Sequence, residues 1–261
     1  MRTLLIIALF GLFAWTYAGE AVTSEILNPE EGPKDKSPED NEKTEDGKEL
    51  IEGDMLGEKH EGGSVRNAIT NAQMKWPKVG GRVQVPYVFD RSMTSQGRAA
   101  VESAKADYAR YTCVDWVPHS GQRHYVKFFQ GDGCYSYVGY VHQAAQPISI
   151  GRGCEYKGTA AHEMMHCLGF NHEQSRPDRD SFVRIQFENV QSGMEGQFDK
   201  CRDCTTQGLP YDYGSVMHYG NDYFTKNGRD TIVPHQRGAR IGQRQGLTSL
   251  DVQKINKLYG C

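Results

Sequence analysis

The chain has 261 residues, 38% of them hydrophobic, and its 30 Lys+Arg against 33 Asp+Glu leave a formal charge of −3. That apolar share suffices for a packed core. The basic residues are too few and too scattered for a nucleic-acid-binding surface, which sets that class of partner aside.

In chain order, the first segment is Arg2, the apolar run Leu4 to Trp15, then Thr16-Tyr17-Ala18. A positive start, a short apolar stretch and small residues at its exit predict a signal peptide over 1–18 and an extracellular mature protein. The alternative is a membrane anchor, but the run is short of the roughly 20 residues that span a bilayer. Residues 19–66 hold 15 acidic and 6 basic side chains, and Glu20 to Glu49 contains no aromatic residue. Such an acidic leader buries too little surface to fold alone. From residue 67 the balance turns to +5 and the pattern becomes globular.

Within that body, Val83 to Phe89 reads as a strand. Ala100, Val101, Ala104, Tyr108 and Tyr111 recur at helical spacing and predict a helix over about 95–111. Tyr125 to Phe129, Tyr135 to Val141 and Pro147 to Ile150 are strand candidates between glycines. A second helix is expected over about 157–168, stopped by Gly169. Residues 173–247 lack regular periodicity. Thr248-Ser-Leu-Asp251 reads as a capping box opening a helix that buries Val252, Ile255 and Leu258 and runs to Cys261. Strands and helices first and irregular chain later imply an α+β body divided at the second helix.

That second helix carries the chemistry. In His162-Glu-Met-Met-His166-Cys-Leu-Gly-Phe-Asn-His172, residues four apart lie one turn above each other, so two imidazoles converge. Glu163 is then placed to take a proton from water at the metal, and Gly169 lets the chain turn so that His172 completes the set. Three imidazoles leave a position open, as a catalytic zinc requires. The full HExxHxxGxxH spacing is a metzincin signature; the bland alternative is three histidines satisfying core hydrogen bonds. His60, His119, His124, His142 and His235 have no chelating spacing.

The segment HEMMHCLGFNHEQSRPDRD, residues 162–180, resembles the signature of the astacin family, and Ser215-Val-Met217-His-Tyr219 resembles its Met-turn. The likeness spans about 67–261, reaches back into the leader, and is strongest to fish hatching enzymes. It implies an astacin-like peptidase domain over 67–261: an N-terminal twisted sheet with two helices, a mostly irregular C-terminal half, and a cleft between them. It also implies one zinc ion, with Met217 as a floor beneath the histidines. Tyr219 would serve as a phenol ligand that later stabilises the oxyanion, where pattern alone would make Met217 and Tyr219 ordinary packing. Glu52-Gly53-Asp54 resembles an aspartate switch in which Asp54 occupies the open metal position; alone, Gly-Asp is a turn. The match places the mature start near Asn67, after a protease cut at Arg66, with the new terminus partnering Glu173. Arg244 aligns with a segment lining the S1′ side, against the alternative of an exposed loop arginine.

Seven cysteines follow the leader. The resemblance implies the pairs Cys113–Cys261 and Cys134–Cys154. Cys201 and Cys204 stand outside that pattern as a metal pair, a redox pair or a local disulfide, and export favours the last. Cys167 is then a buried free thiol. Asn67 to Trp76 lacks the extra cysteine pair usual in hatching enzymes. The sequence thus reads as a secreted, monomeric zinc endopeptidase made as a zymogen and acting on protein or peptide substrates, with no nucleic acid or membrane partner. Egg envelopes are one substrate, a tissue or immune-cell role is the alternative, and a non-catalytic zinc-binding protein is the reading from another class.

Overall fold

The computed structural model describes residues 44, 47–57, 72–201 and 204–261. The expected signal peptide, most of the acidic leader and the expected cut after Arg66 lie outside the described residues.

Strand β4 (Arg82–Phe89) pairs with three neighbours in the sheet. Val83, Val85 and Tyr87 alternate inward, and the strand pairs in parallel with β5 (Val114–Pro118) and β6 (Val126–Phe129). The short β3 (Lys78–Val79) pairs antiparallel with it. β8 (Gln146–Ile150) runs parallel to β6, and β7 (Cys134–Tyr137) closes the body's side of the sheet antiparallel to β8. Helix α1 (Ser95–Tyr111) starts on Thr94, whose hydroxyl accepts from the Gly97 amide, and buries Ala100, Val101, Ala104 and Tyr108. Helix α2 (Lys157–Cys167), packed against α1, β7 and β8, is buried nearly all round. The main core gathers Val126, Phe128, Ile148, Ala160, Met164 and Ile255, all fully buried. Each large aliphatic or aromatic side chain there contributes roughly 1.5–3 kcal/mol by leaving water.

The strand expected over 135–141 ends at Tyr137, because the Gly139 amide leaves the sheet to bond the His166 carbonyl at 2.9 Å. β5 has no counterpart among the expected strands: at five residues, with Asp115 and Pro118 inside it, it carries little period-2 signal. The end of the leader, past Glu49, joins the sheet. β1 (Leu50–Ile51) and β2 (Met55–Leu56) form a hairpin, and β2 pairs in parallel with β7, so the leader extends the body's sheet. It folds by borrowing an edge and a core that it lacks alone.

Past Gly169 regular structure is sparse: short 3-10 turns and one ribbon of β9 (Val183–Ile185) with β10 (Ile232–Pro234). A second, smaller apolar cluster contains Val183, Val190, Phe198, Tyr219, Phe224 and Ile232. Helix α3 (Ser249–Tyr259) opens on the capping box of Thr248 and Asp251. It stops at Gly260, whose left-handed φ of 65° ends it before Cys261. Ile255 and Leu258 are buried as expected and Val252 is half-buried. Disulfides join Cys113 to Cys261, Cys134 to Cys154 and Cys201 to Cys204. Among the described residues no helix is long and apolar enough to cross a membrane.

Candidate metal centre

Two turns of geometry build the site. His162 and His166, one turn apart on α2, bring their Nε2 atoms to 3.0 Å. Gly169, at φ 106°, then reverses the chain in a conformation that side chains avoid, and His172 returns with its Nε2 3.3 Å from that of His162. A different close approach fixes the start of α2: a Cβ on Gly158 would lie 1.7 Å from the Arg244 carbonyl oxygen. The helix is thereby pressed onto the 243–246 segment.

Each imidazole is oriented through its other nitrogen. Nδ1 of His162 lies 2.8 Å from the Val216 carbonyl, Nδ1 of His166 lies 2.6 Å from the Phe170 carbonyl, and Nδ1 of His172 lies 2.7 Å from Glu52 Oε2. With acceptors at all three Nδ1 atoms, those nitrogens carry the protons and the three Nε2 lone pairs turn inward. Asp54 adds a carboxylate: Oδ2 is 3.1 Å from Nε2 of both His162 and His172, and Oδ1 is 3.5 Å from Nε2 of His166. All four side chains are buried.

Lone pairs gathered this closely in a dry site need a cation among them. Tetrahedral zinc, with bonds of about 2.0–2.1 Å, holds its donors about 3.3 Å apart. Three nitrogens and one carboxylate oxygen at these separations match that ion in number, chemistry and spacing. Without a metal the same crowding forces the protons apart. Burial, then Arg244 and His166, push His162 down to about 3, and burial also lowers His166. His172 goes the other way: burial would lower it, but the Asp54 and Glu52 carboxylates carry it up to about 9. Asp54, which burial alone would raise, is held well below its ordinary value by His172 and His166.

Glu163, next to His162, is 1% exposed. Tyr219 is fully buried, its ring stacked on Tyr223 and 4.5 Å from the ring of His172. Its phenol donates to the Glu52 carbonyl. With the leader docked, Asp54 stands with the three histidines and the Tyr219 phenol is engaged by the Glu52 carbonyl; the expected phenol ligand belongs to the enzyme without its leader. Burial, with the Asp54 and Glu52 charges, raises Tyr219 well above its ordinary value, which keeps it a donor.

The Met-turn is fixed from behind. Asp251 Oδ2 accepts from the Val216 amide at 3.0 Å while also capping α3, and its Oδ1 accepts from Ser215 Oγ at 2.5 Å. Val216 in turn holds His162 through its carbonyl, so the cap of the last helix positions the first ligand. Met217 is buried in the main core and its carbonyl accepts from the Glu173 amide. His218 is structural: its Nδ1 meets the Tyr219 carbonyl, Tyr211 Oη lies 2.7 Å from its Nε2, and burial lowers it to about 4.

Glu173, expected to receive the mature terminus, is already engaged. Its Oε1 accepts from the Asp212 amide at 2.8 Å and Arg176 at 3.2 Å, and its Oε2 from Lys254 Nζ at 2.6 Å. The expected terminus near Asn67 lies outside the described residues. Arg244 is not the exposed loop arginine of the alternative reading. It is 8% exposed and donates to the His218 and Gln243 carbonyls and to Tyr223 Oη. Cys167 is a buried free thiol; Gln146 Nε2 lies 3.4 Å from its sulfur, and burial raises it far above the reactive range. Sequence reasoning misses Glu52, Asp251 and Lys254 as members of this machinery. Lys254 carries a readable signal, since it lies on the buried stripe of α3 with Asp251, Ile255 and Leu258.

Comparison with known proteins agrees with this geometry. Residues 68–260 match the family model for astacin, a peptidase family. Zinc metalloproteinase nas-15 of Caenorhabditis elegans is 45% identical over 206 residues, covering 78% of this chain and 35% of the nematode protein. The astacin-like metalloendopeptidase of Gallus gallus is 41% identical over 216 residues, covering 81% of this chain and 51% of its own length. Among solved structures, high choriolytic enzyme 1 of Oryzias latipes, a hatching enzyme zinc-protease, superposes with a TM-score of 0.71 at 38% identity. That match covers 75% of this chain and all of the fish enzyme's. The chain spans well under half the length of several curated relatives, 35% of nas-15 and 44% of nas-13.

Proposed function

The chain belongs to the astacin family, and from that premise we propose that it is an exported zinc endopeptidase, held latent by its own leader. One observation carries the reading: three inward-facing imidazoles are closed off by a carboxylate, Asp54, contributed from the leader. Bound zinc supplies Lewis-acid polarisation of water and of the scissile carbonyl. The chain's own residues do the rest. Asp54 blocks the position that water needs. Once it leaves, Glu163 takes a proton from the attacking water and returns it to the departing amine. Tyr219, released from the Glu52 carbonyl, has a phenol O–H to donate to the oxyanion.

Release follows a cut after Arg66. The new ammonium at Asn67 would meet Glu173 at a small cavity lined by Phe170, Arg176, Thr205, Gln207 and Lys254. Substrates are proteins, and egg-envelope proteins are the finer reading that likeness to the fish hatching enzyme supports. Arg244 acts at the S1′ side through the loop it buttresses. A peptide library unchanged by Arg244→Ala at that subsite would remove this last role.

The test of the main reading uses the full chain and the same chain cut after Arg66. Only the cut form is expected to digest denatured protein; a chelator abolishes this and added zinc restores it. Equal digestion by the uncut chain would overturn latency, and digestion indifferent to chelation would overturn the zinc chemistry.

A further inference from the structure

Two residues before Asp54 the leader buries a second carboxylate, and its partners differ in kind from those of every other group at the site. Glu52 is 4% exposed. Its Oε2 accepts from Ser175 Oγ at 2.6 Å and from Nδ1 of His172 at 2.7 Å, while its carbonyl accepts from the Tyr219 phenol. It reaches them from a three-residue turn between Ile51 and Met55, at a φ of 48° that a non-glycine residue adopts only at a cost in backbone energy. That conformation lets one short hairpin deliver two carboxylates to two sides of the same imidazole: Asp54 at Nε2 and Glu52 at Nδ1 of His172.

The three histidines are therefore unequal. His162 and His166 give their Nδ1 protons to carbonyls of Val216 and Phe170, which belong to the body and remain after processing. His172 gives its proton to a charged oxygen that departs with the leader. A carboxylate behind a ligating imidazole makes it a stronger donor to the metal, and loss of such a partner typically weakens metal binding about 10–100-fold.

We propose that Glu52 is a positioning residue for the metal, acting through His172, so that the latent chain grips zinc more tightly than Asp54 alone would make it. By linkage the effect is reciprocal: zinc on the histidines tightens the docking of the leader hairpin on β7. This rests on the reading of Asp54 as the blocking ligand, and the measurements separate the two.

Zinc transfer to a chromogenic chelator is measured for the full chain, its Glu52→Gln, Glu52→Ala and Asp54→Asn variants, and the processed form. Gln keeps the shape and acceptor oxygen but not the charge, so transfer should quicken about tenfold, and for Ala nearer a hundredfold. Asp54→Asn, with Glu52 intact, should still release zinc several-fold more slowly than the processed form. Protease cleavage of the leader should be slower with zinc than without it, and Glu52→Gln should shrink that difference. Wild-type transfer rates in both Glu52 variants would overturn the proposal, as would an Asp54→Asn chain indistinguishable from the processed one. Latency is read separately, from peptide cleavage by the intact chain, so its failure leaves the transfer rates to decide Glu52.

Discussion

Before Gly169 the molecule is a sheet packed on helices; after it, the chain is mostly loops packed on buried charge. In the first half Val126, Phe128, Ile148, Ala160 and Met164 are fully buried, and backbone ladders satisfy the polar groups between them. In the second, Arg176 takes the place of a core residue. Its guanidinium donates to both Asp178 oxygens at 2.9 Å, to Glu173, and to the carbonyls of Leu209 and Pro210. The difference matters because the metal ligands straddle it: His162 and His166 stand on the regular half and His172 on the irregular one. A rigid helix fixes two ligands by spacing alone, whereas the third depends on a network of charges being complete.

The largest expected effect lies on the regular half and should leave the comparison intact. Glu163→Gln retains the helix, its neighbours and the zinc, but lowers turnover of the processed form roughly 10²–10⁴-fold. Metal content by atomic absorption, set beside peptide turnover, checks this. Unchanged turnover would reassign the base.

The next effect tests how the halves are joined. Cys113–Cys261 closes 148 residues and ties the end of α3 to β5, whereas Cys201–Cys204 closes 3 within the irregular half. By loop entropy the first should contribute about 5 kcal/mol and the second about 2 kcal/mol. Paired Cys→Ser variants followed by chemical unfolding should show that ranking. A larger loss from the local pair would mean that the Cys201–Cys204 tie, not the end of α3, holds the halves in register.

The same contrast explains what can be read from the sequence. The helix over 95–111 is legible because apolar residues recur at helical spacing, that over about 157–168 because Gly169 stops it, and the ligand set because that helix turns spacing into geometry. β5 is lost because five residues carry too little period. Thr248 and Asp251 read as a cap, but not as a clamp on Val216, because a capping box is local in sequence and its outward contact, 35 residues away, is not. Glu52 escapes for the same reason: its partner His172 lies 120 residues on, and no pattern links an acidic turn to one imidazole among three. Long-range polar contacts leave no periodic trace.

A third experiment breaks the charge network directly. Lys254 is buried on α3 and its Nζ holds Glu173 Oε2 at 2.6 Å, one residue from His172. Lys254→Met fills the same space without the charge and leaves Glu173 Oε2 without its lysine, with Arg176 the remaining cation at the carboxylate, at a cost of about 3 kcal/mol. Thermal unfolding should show the loss, and a Lys254→Met/Glu173→Gln pair should recover part of it. If the single variant is as stable as wild type, the irregular half is not held by paired charge.

The smallest effect is a pH dependence that belongs to one half only. Asp212 sits where the irregular half meets α3; its Oδ2 accepts from Thr248 Oγ1 at 2.5 Å and its Oδ1 from the Gly214 amide at 3.0 Å. Burial, then the Asp251 charge, raises it to about 6 from an ordinary 3.8. The native state thus binds this proton more tightly than the unfolded chain, so the stability linked to it is fully present below about pH 3.8. It is lost as pH rises through about 6. A carboxamide in its place has no such proton to lose. The Asp212→Asn chain should therefore gain on wild type by about 1–3 kcal/mol between pH 4 and pH 7. Metal loss, and titration of groups remote from Asp212, act on both chains and cancel in the difference. A buried apolar substitution in the sheet, Ile148→Val, should instead cost about 0.5–1.5 kcal/mol, and the same amount at both pH values, since nothing that titrates is removed. If the Asp212→Asn difference stays flat across that range, the Asp212 charge is as well compensated in the native state as in water. The carboxylates crowded around Lys254 would then cost the irregular half nothing, and its dependence on charge would rest on Arg176 and Lys254 alone.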